Sequence, residues 1–300
     1  MHTDYEVIIA GGSYSGLAAA MSLGRAQRKV LIIDSGLPCN RHTPHSHNFI
    51  TNDGKTPAQI AAQAKQEVMA YPTVSFISDK AITAQSINGL FKIVTEKGET
   101  YTIKKLLFAT GVKDILPHIE NFEDCWAISI LHCPYCHGYE VKGQNTGIIA
   151  NGDAAVHYAM LLLQWTKNLT LYTNGPAQLN EDERKKLNEN DIQIIETPIK
   201  KIKHTKGYVE KIVLQDGTEH AMSVIYHKPG MEQHSDLPQK LGCLLNEQGY
   251  IAVDMMQKTS VEGVYAVGDN TTPMRSVAAA VAMGTMAGAA INAAMCAEAF

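Results

Sequence analysis

Tyr5-Glu6-Val7-Ile8-Ile9-Ala10-Gly11-Gly12-Ser13-Tyr14-Ser15-Gly16 opens the chain, and after a helix-like run it is answered by Lys29-Val30-Leu31-Ile32-Ile33-Asp34. Residues 5–10 form a short apolar run, read as a buried strand. Residues 11–16 are a turn, residues 17–26 have helical composition, and residues 29–34 are a second buried strand ending in an acid. Strand, glycine turn, helix, strand and acid make the βαβ dinucleotide fingerprint. The chemistry behind it is specific. A pyrophosphate needs a tight turn, a backbone it can approach closely, and a helix N-terminus aimed at its charge. Gly11 supplies the turn and Gly16 lets helix and strand pack closely. The middle glycine of the pattern is replaced by Ser13, whose N–H is still available but whose Cβ narrows the approach. Asp34 stands where an acid accepts ribose hydroxyls. The candidate cofactor-binding residues here are Gly11, Gly12, Ser13, Tyr14, Ser15, Gly16 and Asp34; the plainer alternative is an ordinary turn.

Working outward, 300 residues fit about two domains of ~150 residues each. Residues 35–57 are loop-like, with three prolines and the histidines His42, His45 and His47. A helix is expected over 59–70, then short strands near 74–77, 81–85, 91–95 and 99–103, and an apolar strand over 105–110. Pro117 marks a plausible boundary. Beyond it a second strand–turn–helix unit begins: strand 147–150, helix 153–166 and strand 169–172. A charged helix over 180–190 and strands near 192–196, 200–204, 209–214 and 222–227 complete that half. From about Gly249 the pattern returns to Ile-Ala-Val-Asp and then Gly263-Val-Tyr-Ala-Val-Gly-Asp269. Ala109-Thr110-Gly111 and Gly268-Asp269 are strand-end turns, the positions where open α/β sheets bind ligands. The nearly uncharged run 276–297 holds Gly284-x-x-x-Gly288. Its length suits a membrane span, but its alanines are weakly apolar and no basic cluster flanks it. It is read as a buried domain helix packed through its small residues, with no membrane partner.

Hydrophobic residues make up 45% and charged residues 19%, which excludes a disordered or collagen-like chain. With 26 basic against 30 acidic residues and a net charge of −4, no excess of positive charge exists to draw nucleic acid. Six cysteines are too few for a disulfide scaffold. Residues 1–5 lack the regions of a signal peptide. The expected location is therefore a reducing cytoplasm, where paired cysteines point to catalysis or metal binding.

Cys133-Pro134-Tyr135-Cys136-His137-Gly138 is the stretch richest in chemistry. Cysteines at this spacing can close a small disulfide ring on the first turn of a helix, with Pro134 at the first helical position, where its missing N–H costs nothing. A helix N-terminus favours thiolate, the reactive form. His137, next to the second sulfur and with an ordinary pKa near 6.5, could take and return a dithiol proton. A zinc site would need two more ligands, for which only Cys125 and His132 lie nearby; inert buried cysteines are the other alternative. Cys39, Cys125, Cys243 and Cys296 are isolated and read as small buried hydrophobes. Trp126 and Trp165 read as packing residues, and Lys200-Lys201-Ile202-Lys203 as a solvated strand face.

Taken together, these motifs in this order resemble the low-molecular-weight thioredoxin reductase family over essentially the whole chain. The resemblance implies an α/β fold of two Rossmann-like, three-layer FAD/NAD(P)-binding domains, the second inserted in the first. The FAD-binding domain would be 1–116 and 246–300; the inserted NAD(P)-binding-like domain, 117–245, would carry the cysteines. It further implies FAD contacts at Asn48, Ala81, Ala109, Thr110, Gly111, Gly268, Asp269, Arg275, Ser276 and Val277, with Cys136 facing the flavin, Cys133 exchanging with substrate, and a homodimer. Three departures stand against the family pattern. The second glycine motif reads Ala150-Asn151-Gly152-Asp153-Ala154-Ala155, with its first glycine lost and an acid added. After the next strand, Tyr172-Thr173-Asn174-Gly175 has neither an arginine for NADP nor an acid for NAD. The acid usual after the second cysteine is replaced by His137. These departures are similar to the dithiol oxidase branch, typified by gliotoxin-, holomycin- and romidepsin-type disulfide-forming enzymes. That branch implies oxidation of a small-molecule or peptide dithiol through Cys133/Cys136, with electrons passing to FAD and then dioxygen. A reductase delivering NAD(P)H electrons to a thioredoxin-like protein is the alternative, and a flavin-bound redox sensor without turnover is a third. The histidine loop is expected near the flavin and the substrate opening, with a catalytic or substrate-orienting role standing beside a merely hydrogen-bonded one.

Overall fold

The computed structural model describes residues 5–300; residues 1–4, on which the reading of no leader rests, lie outside the described residues. Two compact units are present. The first holds the chain up to Arg41, Pro57–Lys113 and Met231–Phe300; the second holds His42–Thr56 and Asp114–Gly230.

The first unit begins with β1 (Val7–Ala10), α1 (Tyr14–Arg25) and β2 (Val30–Asp34). Next come α2 (Pro57–Met69), β3 (Val74–Ser78), β4 (Ala81–Ile87), β5 (Leu90–Thr95), β6 (Thr100–Ile103), β7 (Lys105–Phe108) and, at the outgoing crossing, β8 (Val112–Ile115). All of β1 is buried, because it lies inside a parallel sheet covered on both faces. Ala10 registers with Ile33 on one side and Phe108 on the other, so three strands end together beside the Gly11 turn.

The second unit contains α3 (Phe122–Cys125), β9 (Ile130–Leu131), α4 (Pro134–His137), β10 (Thr146–Ile149), α5 (Asp153–Leu162), β11 (Leu169–Tyr172), α6 (Glu181–Glu189) and β12 (Gln193–Ile195). After these come β13 (Ile199–Thr205), β14 (Tyr208–Leu214), β15 (Glu219–Ala221), β16 (Val224–His227) and, at the return crossing, β17 (Gly230–Gln233). Its parallel sheet has the order β12-β11-β10-β16-β9. One face packs Ile148, Leu171 and Tyr226 against Ala155, Tyr158 and Leu162 of α5. The other packs Ile149, Tyr172 and Ile225 against Ile202 and Ile212 of the antiparallel β13-β14-β15 sheet. Helix α5 ends at Leu162 rather than 166, because the chain turns there, with Trp165 and Thr166 N–H both returning to the Leu162 carbonyl.

The chain re-enters the first unit with α7 (Leu237–Lys240), β18 (Val264–Ala266) and α8 (Val277–Ala299). The completed sheet is parallel, in the order β18-β7-β1-β2-β3. One face carries α1 and α8; the other packs Ile8, Ala10 and Ile33 against Phe91 and Ile93 of the antiparallel β4-β5-β6 sheet. Each unit is thus a three-layer α/β structure, as expected. Residues 231–245, expected in the inserted segment, fall in the first unit, because Leu237 and Cys243 bury against Phe91 and Ile251.

Helix α8 is long and apolar enough to cross a membrane by length and composition. It packs on α1: a Cβ at Gly284 would lie 2.1 Å from the Ser15 carbonyl oxygen, and one at Gly288 would lie 2.7 Å from that of Ala19. The expectation of a buried helix holds for that face alone. Ala278, Ala282, Met286, Ala289 and Ala293 are exposed on the opposite side, since nothing in the unit covers them.

Candidate active site

The first glycine turn forms a cradle with no room for side chains. Gly11 has φ +109°, and a Cβ there would lie 2.2 Å from the Ala109 carbonyl oxygen. A Cβ at Gly16 would meet the Gly11 oxygen at 2.0 Å. Gly12 N–H donates to Asp34 Oδ1 at 2.9 Å and Gly36 N–H to Asp34 Oδ2 at 3.1 Å, so the acid at the end of β2 is fixed beside the turn. Ser13 is the N-cap of α1 in extended backbone, and its side chain makes no capping bond. The first-turn N–H groups of Tyr14, Ser15 and Gly16 are therefore not occupied by a cap, the arrangement an anion takes at a helix start. The cradle fits a dinucleotide pyrophosphate. The Tyr14 side chain instead braces the fold. It is buried, its hydroxyl donates to the Pro57 carbonyl at 3.2 Å, and it accepts from Asn40 at 3.3 Å.

Around the cradle, the structure gathers Ala109, Thr110, Gly111, Gly268 and Asp269 at the ends of β7 and β18. Gly268 has φ +85°, and a Cβ there would lie 2.7 Å from Ser15 Oγ. Arg275 Nε lies 3.5 Å from Asp269 Oδ2, and Arg275 Nη2 donates to Cys39 Sγ at 2.8 Å. Ser276 caps α8 by accepting from Ala279 N–H at 3.1 Å, and Val277 is its first residue. Ala81 begins β4. Asn48 belongs to the second unit, is exposed, and donates its N–H to Asp53. Sequence reasoning missed Asn270, fully buried, whose Nδ2 donates to the Phe108 carbonyl at 3.0 Å and to Thr110 Oγ1 at 3.2 Å. It locks the two strand-end turns together, and its position directly after Gly268-Asp269 was the available signal.

In the second unit, Cys133 and Cys136 form a disulfide. Cys133 is the N-cap of α4, its sulfur accepts from Cys136 N–H at 3.2 Å, and Pro134 occupies the first helical turn. Because α4 is a single turn, few peptide dipoles align behind the sulfurs, and the helix field expected there is small. Gly138 N–H returns to the Pro134 carbonyl at 2.7 Å, and a Cβ at Gly138 would strike the Trp165 indole at 2.9 Å. Tyr135, 64% exposed, stands edge-on to Trp165 with centroids 5.6 Å apart. Tyr158 of α5 donates to the His132 carbonyl at 2.6 Å, tying down the residue before the pair.

Burial, reinforced by the charge of nearby His47 and only partly offset by Glu140, pushes the His137 imidazole down to about 4. At neutral pH such an imidazole is uncharged, and it is a weaker base than an ordinary histidine. His47, from the distant loop, stands edge-on to His137 at 6.4 Å between centroids. His45 hydrogen-bonds the Gly54 carbonyl at 3.0 Å, and His42 is exposed in the short 3₁₀ turn Cys39–His42. Cys125 and Cys243 are buried as expected, with their thiol pKa values raised by desolvation. Cys39 and Cys296 are not buried hydrophobes: the first is half-buried on Arg275 and the second exposed, 3.2 Å from an Arg28 nitrogen. Among the described residues, no group of three or more His, Cys, Asp or Glu side chains is placed to hold a metal ion.

The second glycine turn is braced by the Asn151 side chain. Asn151 Oδ1 accepts from Gly152 N–H at 3.0 Å and from Gln178 N–H at 2.7 Å, while Asn151 Nδ2 donates to the Pro176 carbonyl at 2.9 Å. The side chain thus ties segment 173–178 to the start of α5, where a nucleotide pyrophosphate would need open backbone. Glu196 accepts from Ala177 N–H at 3.0 Å and pairs with Arg184 at 3.0 Å, so the nearby guanidinium already has a carboxylate partner.

A pyridine nucleotide-disulphide oxidoreductase family model matches residues 5–284. The chain is 31% identical to thioredoxin reductase sirT of Leptosphaeria maculans, over 96% of this chain and 93% of that protein. In structure it resembles the TrxB protein of Bacillus anthracis, with TM-score 0.95 and 30% identity, over 99% of this chain and 100% of that one. It also resembles an oxidoreductase from Agrobacterium tumefaciens, with TM-score 0.92 and 36% identity, over 98% and 99%. With a glycine cradle that fits a dinucleotide and a disulfide formed on Cys133 and Cys136, the chain belongs to the pyridine nucleotide-disulphide oxidoreductase family, as a thioredoxin reductase-like enzyme whose family cofactor is FAD.

Proposed function

We propose that the protein oxidises a small-molecule or peptide dithiol to a disulfide through Cys133 and Cys136, with dioxygen as the final acceptor. The observation that carries this reading is the altered second glycine turn: the Asn151 side chain takes Gly152 N–H and Gln178 N–H and donates to the Pro176 carbonyl, and the nearby Arg184 is already paired with Glu196. A substrate thiolate attacks Cys133 Sγ, the Cys133–Cys136 bond breaks, and the second substrate thiol displaces Cys133 to leave as the oxidised product. Two electrons and two protons pass from substrate to the cysteine pair. We assign the proton movements that accompany exchange to His137, which directly follows Cys136 in the chain. Bound FAD supplies the two-electron acceptor that returns the pair to its disulfide. The residues we assign to holding it are Gly11 to Gly16, Asp34, Ala109 to Gly111, Gly268, Asp269 and Arg275 to Val277. Ala81 is a further assignment; Asn48, on its loop in the second unit, is a weaker one. Tyr135, Tyr139 and Met160 are exposed in this unit and suit an apolar or aromatic substrate better than a charged one. A homodimer in a reducing cytoplasm completes the reading, in keeping with the exposed apolar face of α8.

Anaerobic titration of the flavin-loaded protein tests the proposal. A small dithiol is expected to bleach the flavin within seconds, and air to restore its colour. NADPH and NADH at the same concentration are expected to bleach it on the order of 10³-fold more slowly, because binding energy at the nucleotide turn is missing. Rapid bleaching by either nucleotide would instead establish a reductase, and bleaching by no donor a redox sensor.

A further inference from the structure

We propose that Asn270 is a further residue of the FAD site, its side-chain oxygen accepting a hydrogen bond from a ribityl hydroxyl of the cofactor. The inference rests on the assignment of FAD to the first glycine cradle and not on the direction of the dithiol chemistry. Asn270 is fully buried in the turn that follows β18. Its backbone carbonyl accepts from Ile251 N–H at 2.9 Å and from Gln233 Nε2 at 3.0 Å. Its Nδ2 donates to the Phe108 carbonyl at 3.0 Å and to Thr110 Oγ1 at 3.2 Å. A backbone carbonyl can only accept, so the Phe108 contact fixes which side-chain atom is the nitrogen, and the amide cannot be turned over. The remaining atom, Oδ1, is buried and accepts no hydrogen bond. A buried amide oxygen without a donor is costly, and in folded proteins such atoms take a partner from the chain, from water or from a ligand.

The strand order says which half of a dinucleotide that ligand would be. In the sheet β18-β7-β1-β2-β3, Asp34 ends β2 on one side of β1, and Asn270 lies at the ends of β7 and β18 on the other. The glycine turn that suits the pyrophosphate follows β1, between the two. A dinucleotide with its pyrophosphate on that turn and its adenosine ribose on Asp34 runs its flavin half toward β7 and β18. The ribityl chain comes next to the phosphate in that half, and its hydroxyls are donors. Gly268, two positions before Asn270, is close to the same turn: a Cβ there would lie 2.7 Å from Ser15 Oγ. Asn270 therefore offers a pre-set acceptor, with its carbonyl held by Ile251 and Gln233 and its amide nitrogen by β7 and Thr110. The chemical class it takes is a hydroxyl donor.

The test measures the affinity of the full chain, freed of flavin, for FAD and for analogues that each lack one ribityl hydroxyl. Asn270→Val is expected to weaken FAD binding roughly tenfold, the size of effect expected for one buried hydrogen bond. The unaltered protein is expected to lose a similar factor with one of the analogues, and Asn270→Val to lose nothing further with that same analogue. An Asn270 that only braces the two turns would weaken FAD and every analogue by the same factor; equal weakening, or none, overturns the inference. Asn270→Ser takes its place in the same comparison if Asn270→Val does not fold. A crystal structure of the unaltered protein with FAD bound decides the matter without any variant. A ribityl oxygen within hydrogen-bond distance of Asn270 Oδ1 upholds the inference, and a water alone at that atom overturns it. None of these readouts involves a dithiol, dioxygen or turnover, so failure here and failure of the dithiol reading are seen separately.

Discussion

Cys136→Ser is expected to stop dithiol-driven flavin bleaching, with a rate loss on the order of 10³-fold or more, as for removal of a group that takes part in covalent chemistry. The loss should differ in kind from that of Cys133→Ser. In the Cys136→Ser protein, Cys133 keeps its place at the N-cap of α4, where its sulfur now accepts from the backbone N–H of residue 136. It can still exchange with an added small disulfide, and intact-mass measurement should find a stable adduct on Cys133, since no neighbouring thiol releases it. Cys133→Ser should give neither bleaching nor an adduct at that position. Both proteins should keep the flavin, because the cradle residues belong to the first unit and the cysteines to the second. Equal adduct formation in the two variants would reverse the assignment of the exchanging sulfur.

Gly284→Val is expected to be the most damaging substitution away from the cysteines. Its Cβ would lie 2.1 Å from the Ser15 carbonyl oxygen, 2.9 Å from the Ser15 carbonyl carbon and 3.0 Å from Ala18 Cβ. Two of these three neighbours are backbone of α1, which cannot turn aside as a flexible side chain would, so the helices must part. Overpacking of this kind costs about 3 kcal/mol at the upper end of the usual range, which corresponds to a fall in Tm of roughly 6–12 °C. Since Ser15 belongs to the cradle turn, flavin content should fall with stability. Ala62→Val, exposed on α2, is the control and should change Tm little. Thermal unfolding and flavin content of the two purified proteins decide the matter.

Where spacing and local chemistry suffice, the chain announces its own structure. Apolar runs bounded by glycine turns mark β1, α1 and β2, because strand, tight turn and helix start are each specified within a few residues. The cysteine pair was legible for the same reason: its ring closes over a sequence separation of only 3. The lost second glycine motif was also visible, but as an absence. That Asn151 braces the turn with four hydrogen bonds depends on where segment 173–178 folds. Asn270 looked like any turn residue until burial brought its amide onto β7. The unit boundaries at Lys113 and Gly230 follow from which apolar residues find a common core, whereas the sequence offered local breaks such as Pro117. Least legible was the pairing of His47 with His137, whose partners lie far apart in the chain. Local propensity acts over a turn or a strand, whereas burial and electrostatics act through space; the first is written in order along the chain, and the second exists only once the chain has folded.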